Sequence, residues 1–268
     1  MHHWTLTRAL LLVAASSPLA CSAPTTESEG SISDAIYFGE PSGEEEDGVV
    51  RVRTRVPGGT FSNCTGTLVA PNLLLTARHC LTAYVDGLFT CTPEGDLQDD
   101  GVGKPGTMGA VSPPEDVVVF TGATQPFVTA AAGIQILTRP TSTICRNDIA
   151  FVVLDQNVDA PLLPLRLNTA TVPTEMMTAV GYGTTNDSMT GRFRRADVPV
   201  LDVGKSDYWT QTSLAPAATF GIGPGPCQGD SGGPAITERS AVAGVFSLNA
   251  GTNCGAANTR NYYTQLAA

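Results

Sequence analysis

The sequence predicts an all-β protein, two packed barrels or sandwiches, on three observations. From Ile36 onward short β-rich runs alternate with turn residues, 28 Gly and 19 Pro punctuate the chain, and no segment keeps a long helical period. The 268 residues, 42% of them hydrophobic and 15% charged, are enough for one large all-β domain or two small ones. No internal repeat divides them.

Taken in order, the strand candidates are Val49–Val56, Gly66–Val69, Leu73–Leu75, Val117–Phe120, Ile149–Leu154, Thr178–Val180 and Val242–Phe246. In the first, Val50, Val52, Thr54 and Val56 alternate with Arg51, Arg53 and Arg55, the period of a strand with one buried face and one wet one. Between candidates lie the acidic run Glu44–Asp47, read as a solvated loop, and Arg192–Arg195, read as an exposed loop. Residues 86–116, rich in Gly, Pro and Asp, read as a long surface insertion.

Upstream of the strands, Arg8 and the apolar run Ala9–Ala15 precede small residues ending in Leu19-Ala20-Cys21, the layout of an export signal over residues 1–20. The apolar run is too short to span a bilayer. Residues 21–35 are small, polar and acidic, with too little apolar surface to fold alone, so they form a linker or pro-segment. Residues 36–268 then make the folded domain. Leu19-Ala20-Cys21 resembles a bacterial lipoprotein processing site, which implies lipid on Cys21 and attachment of the exported protein to the cell envelope, although Pro18 departs from that pattern; the other reading is an ordinary secretory signal with an incidental cysteine and a secreted protein.

Seven cysteines in an exported chain pair six and leave one, and Cys21 lies outside the folded part. The other six are Cys64, Cys80, Cys91, Cys145, Cys227 and Cys254. No CxxC pair or His/Cys cluster suggests a structural metal, and no cofactor is expected. A net charge of −10 argues against nucleic acid or an anionic membrane surface as an electrostatic partner.

Three stretches carry the chemistry: Leu75–Cys80 with His79, Asn147–Ala150 with Asp148, and Gly229–Pro234 with Ser231. His79 is the only histidine beyond residue 3, and no other side chain has an unperturbed pKa near neutrality. A histidine, a carboxylate and a hydroxyl flanked by glycines are the parts of an acyl-transfer enzyme.

Together the three stretches resemble the trypsin/chymotrypsin family of serine endopeptidases. Leu-Thr-Ala-Arg-His-Cys is similar to that family's Thr-Ala-Ala-His-Cys, Asn147–Leu154 to its Asp-Ile-Ala-Leu-Leu strand, Cys227–Pro234 to its nucleophile loop, and Val180–Gly183 to its Gly-Trp-Gly element. The resemblance implies two six-stranded antiparallel β-barrels over residues 36–268 and hydrolysis of peptide or protein substrates through an acyl-enzyme. It gives Ser231 as nucleophile, His79 as general base and acid, Asp148 as orienting carboxylate, and the N–H groups of Gly229 and Ser231 as oxyanion hole. It implies Gly225, Ser247 and Asn249 as substrate-pocket residues, and bridges Cys64–Cys80 and Cys227–Cys254. Cys91 and Cys145 remain as the third pair.

Ile36-Tyr-Phe-Gly39 resembles the start that this family exposes by proteolysis, which implies a freed Ile36 ammonium pairing with Asp230. Three residues depart from the family pattern: Arg78 stands for a small residue, Thr65 for a usual glycine, and Asn249 for a pocket-wall glycine. Two other readings are open. One is a non-catalytic binding or scaffold protein on the same fold; the other, an α/β-hydrolase esterase, is disfavoured because that fold runs Ser, acid, His in chain order.

Overall fold

The computed structural model describes Met1 and residues 36–98, 103–184, 191–204, 215–250 and 253–267. Residues 2–35, which hold all but Met1 of the expected signal peptide, the 21–35 segment and Cys21, lie outside the described residues. The strands are β1 (Glu40–Pro41), β2 (Val49–Arg55), β3 (Phe61–Ala70), β4 (Leu73–Thr76), β5 (Thr82–Tyr84), β6 (Met108–Val111), β7 (Val117–Thr121) and β8 (Val128–Thr138). They continue as β9 (Ala150–Leu154), β10 (Met176–Gly181), β11 (Phe193–Val203), β12 (Thr219–Ile222), β13 (Pro234–Thr237), β14 (Val242–Ala250) and β15 (Arg260–Gln265). Only short 3-10 turns interrupt this all-β pattern among the described residues.

Two closed antiparallel barrels result. The first runs β2-β3-β4-β9-β8-β7, and the second β11-β10-β13-β14-β15-β12, closed by pairing of β11 with β12. Closure leaves no exposed edge in either ring, apart from the short β1 laid against β11. On β2 the inward residues Val50, Val52 and Thr54 are buried while Arg51, Arg53 and Arg55 face outward, where Arg51 lies over Phe120 and Arg53 over Phe61. Each barrel has its own apolar interior: Val52, Leu68, Leu74, Val119 and Val152 in the first, Val198, Phe220, Ile222 and Tyr263 in the second. Full burial of such side chains stabilises by about 1.5–3 kcal/mol apiece.

Several strands exceed what local pattern shows. The Ala- and Thr-rich β8 has low strand propensity and leaves Val128 and Ile134 exposed, yet ladders to β7 and β9 hold it on both sides. The loop reading of Arg192–Arg195 is incorrect, because Phe193–Val203 is a strand and Arg192 is 2% exposed. The solvated-loop reading of Glu44–Asp47 holds for Glu44 and Glu45, which are exposed, but not for Glu46, which is buried in a 3-10 turn. The two charge runs meet each other: Arg192 bonds Asp47 at 2.5 Å, and Arg194 reaches Glu40, Glu45 and Glu46 at 3.0, 3.1 and 2.8 Å. Each run is hydrophilic taken alone; paired, they clamp the segment after Ile36 onto the second barrel.

Candidate active site

The His, Asp and Ser stretches end on elements that converge where the barrels meet. His79 lies in the 3-10 turn Arg78–Leu81 that follows β4, Asp148 lies two residues before the apolar strand β9, and Ser231 lies in the loop leading into β13. All three depend on strand ends that closure of the barrels fixes in space.

Asp148 is fully buried and its carboxylate accepts three hydrogen bonds. His79 donates its backbone N–H to Oδ1 at 2.8 Å, the His79 ring places Nδ1 2.6 Å from Oδ2, and the Ser247 hydroxyl donates to Oδ2 at 2.6 Å. A carboxylate can only accept, so Nδ1 carries the proton and Nε2 is left as the basic nitrogen. Burial pulls the His79 pKa down, but the Asp148 charge, its hydrogen bond and the Asp86 charge outweigh it, and the net shift is upward from 6.5. Arg78 is nearly buried and sends its guanidinium to the Thr141 carbonyl, leaving the His79–Asp148 pair intact.

Ser231 lines the same cleft as His79, a cavity of about 1190 Å³ walled by both barrels. Its hydroxyl makes no hydrogen bond among the described residues, and a nucleophile–base bond that tightens only with substrate bound is common in such sites. Nearby, the backbone N–H groups of Gly229 and Ser231 donate to no acceptor among the described residues. Gly229 has φ +91°, a conformation that favours glycine.

Between them sits Asp230, buried, with Oδ2 accepting the Cys227 N–H at 2.8 Å and Oδ1 the Gly183 N–H at 2.7 Å. No cation pairs with it among the described residues. Burial therefore pushes its pKa up to about 8 despite those two N–H donors. Gly181 must lack a side chain here, since a Cβ would lie 2.1 Å from Asp230 Oδ1. Ile36 is fully buried in the second barrel, and the Tyr37 N–H donates to the Gly225 carbonyl at 2.9 Å.

The expected pocket residues take different parts. Ser247 and Asn249 line the cleft, but the Ser247 hydroxyl is spent on Asp148. Asn249 donates through Nδ2 to Asn261 Oδ1 at 2.8 Å, and the buried Asn261 donates in turn to the Gly223 carbonyl at 2.8 Å. Gly225, at φ +148°, is not among the residues that line the cleft, and a Cβ on it would lie 3.3 Å from Arg195 Cδ and 3.5 Å from a guanidinium nitrogen. Arg195 bonds the Pro224 carbonyl and lies over Phe38, with no carboxylate partner among the described residues. Nothing in the local sequence signals that Arg195 sits beside Gly225, 30 positions away.

Three disulfides brace the site. Cys64–Cys80 flanks the His79 turn, Cys227–Cys254 ties the Ser231 loop to the segment between β14 and β15, and Cys91–Cys145 fastens the 86–116 insertion just before Asp148. The insertion is not merely surface: Leu97 and Met108 pack with Ile144 and Cys145 in a small core, while Asp86 and Phe89 wall the cleft. Among the described residues one group of metal-type ligand atoms, Cys64, His79 and Cys80, lies close together, but both sulfurs are in the disulfide and offer no thiolate.

The trypsin family model matches residues 42–268. Chymotrypsin-like elastase family member 1 of Rattus norvegicus is 26% identical over 220 residues, 79% of this chain and 77% of that protein. A venom serine protease of Polistes dominula is 25% identical over 211 residues, 71% and 68% of the two chains. Among solved structures, HL collagenase superposes with a TM-score of 0.60 at 19% identity, covering 85% of this chain and 92% of that one. The scabies mite inactivated protease paralogue S-I1 gives 0.58 at 18%, covering 85% and 93%.

Proposed function

The chain belongs to the trypsin family, and on that premise we propose that it is a serine endopeptidase acting through Ser231, His79 and Asp148. The observation that carries this reading is the two unspent N–H groups of Gly229 and Ser231 beside a histidine whose Nδ1 is held 2.6 Å from a buried carboxylate. Ser231 Oγ attacks the scissile carbonyl carbon as His79 Nε2 takes its proton. The oxyanion is bound by the two free N–H groups, each donor worth about 3–4 kcal/mol of transition-state stabilisation. His79 then protonates the leaving amine as the C–N bond breaks, and water hydrolyses the acyl-enzyme by the same relay. Asp148 stabilises the imidazolium throughout.

A second reading is a non-catalytic protein on this fold. The name of the inactivated mite paralogue shows that fold alone does not establish catalysis. Against that reading stand the intact His79–Asp148 pair and the unspent donors. Ser231→Ala and His79→Ala separate the two: both lower peptide turnover by several orders of magnitude with the fold retained. Turnover within tenfold of wild type in either variant overturns the assignment.

The remaining parts of the reading rest on sequence. Residues 1–20 act as a signal peptide, 21–35 as a linker or pro-segment and 36–268 as the peptidase domain. Three disulfides suit an oxidising compartment, and secretion or export follows from them. A bacterial envelope location with lipid on Cys21 is supported by Leu19-Ala20-Cys21 alone; the relatives named above are animal proteins. No metal or cofactor enters the chemistry.

A further inference from the structure

We propose that Thr65 is the positioning residue of the oxyanion loop, fixing through its hydroxyl the peptide that follows Gly229. The inference rests on the peptidase reading of the site. Residues 228–231 carry four carbonyls, and each has a partner. Gln228 C=O accepts the Thr184 N–H at 2.7 Å and Asp230 C=O the Gly233 N–H at 2.8 Å; Ser231 C=O accepts the Thr65 N–H at 2.8 Å, and Gly229 C=O the Thr65 hydroxyl at 2.9 Å. Among the described residues Thr65 thus supplies two of these four bonds, and the only one with a side-chain donor, since the Cys80 sulfur 3.6 Å from the Ser231 carbonyl is in a disulfide and has no proton to give.

Its hydroxyl has no freedom to do otherwise. The Tyr182 N–H donates to Oγ1 at 2.9 Å, so the single hydroxyl proton is directed to Gly229. Thr65 is fully buried, and its own carbonyl accepts the Thr76 hydroxyl at 2.8 Å. Gly229 needs such an external hold because glycine at φ +91° has no Cβ to restrict rotation of the peptides on either side. Thr184 holds the first of those peptides, which carries the Gly229 N–H, and Thr65 holds the second. With both held, the N–H groups of Gly229 and Ser231 are the donors left over.

The test compares Thr65→Val, Thr65→Ser and Thr65→Ala, reading kcat and KM per titrated active site and affinity for a peptide boronic acid, which forms a tetrahedral adduct. Thr65→Val lowers kcat by about 10–100-fold with KM within about threefold of wild type, and weakens the boronate in parallel, while a product-like peptide binds unchanged. Thr65→Ser restores both within about threefold. If Thr65→Val does not fold, the Ala and Ser variants carry the same comparison. A merely structural role lowers the number of titrated sites without changing kcat per site or boronate affinity, and that result overturns the inference. Wild-type protein that neither cleaves peptides nor binds boronate overturns the peptidase reading itself, a different failure from wild-type activity that Thr65→Ala leaves unchanged.

Discussion

Asp148 holds His79 at two points, the backbone N–H at 2.8 Å and the ring Nδ1 at 2.6 Å, so that one buried carboxylate fixes both the turn and the tautomer. The same carboxylate makes the imidazolium more stable than burial alone would allow, and the His79 pKa stands above 6.5. The general base works as the neutral imidazole, so kcat/KM rises with pH as the imidazolium deprotonates, with a midpoint above 6.5. Asp86 adds to the upward shift from the cleft wall, and Asp86→Asn therefore moves the acid limb to lower pH. A pH–rate profile of the two proteins checks the sign; a limb that stays put or moves up contradicts it.

Asn249, on the cleft wall, is hydrogen-bonded to Asn261, and Gly225, where the family resemblance puts the pocket floor, offers no carboxylate and lies beside Arg195. Cleavage after small or medium apolar residues is the expected outcome, with Arg and Lys disfavoured for want of a pocket carboxylate. Asn249→Gly with Asn261→Gly should then raise kcat/KM for Phe or Tyr substrates by at least about tenfold, in line with a few kcal/mol of pocket space. Profiling on a peptide library checks it, and efficient hydrolysis after Arg or Lys would contradict it.

Asp230 lacks a cation among the described residues, and Ile36 is buried in the same barrel. Cleavage before Ile36 is proposed to free an ammonium that pairs with Asp230, because a lone buried carboxylate costs several kcal/mol. In the uncleaved chain the folded Asp230 pKa, about 8, exceeds its ordinary 3.8. The folded state therefore binds the proton more tightly than the unfolded one, and stability falls as pH rises through that window. Thermal melts across pH should show this decline in the precursor and not in a form beginning at Ile36, which should also turn over peptide far faster. Asp230→Asn loses most of that gain in turnover. Equal turnover by the two forms rules the mechanism out.

The structure pairs six cysteines among themselves, which leaves Cys21. It is expected to carry lipid, and Cys21→Ser should release the protein from the membrane fraction. An unmodified peptide spanning Cys21 in the mass spectrum of the mature protein refutes this.

The fold class was legible because hydrophobic alternation and turn residues are local, as on β2, where Val50 and Val52 face in and Arg51 faces out. The long β8 was not, since its alanines become a strand only through ladders with β7 and β9. Charge runs misled for the same reason: Arg192 finds Asp47 145 positions earlier, a pairing that no window of sequence contains. At the site, residue types and chain order marked His79, Asp148 and Ser231. The bond from Thr65 to Gly229 spans 164 positions, and the sequence signalled it only as a departure from the family's glycine.

The central claim, that Ser231 is a nucleophile activated by His79, is tested most directly by treating the protein with a peptidyl organophosphonate and locating the adduct by mass spectrometry. One phosphonyl group per chain on Ser231 is the expected result, absent in Ser231→Ala and strongly slowed in His79→Ala. Protein that hydrolyses peptides yet carries no adduct on Ser231, or is labelled as fast in His79→Ala as in wild type, would contradict it.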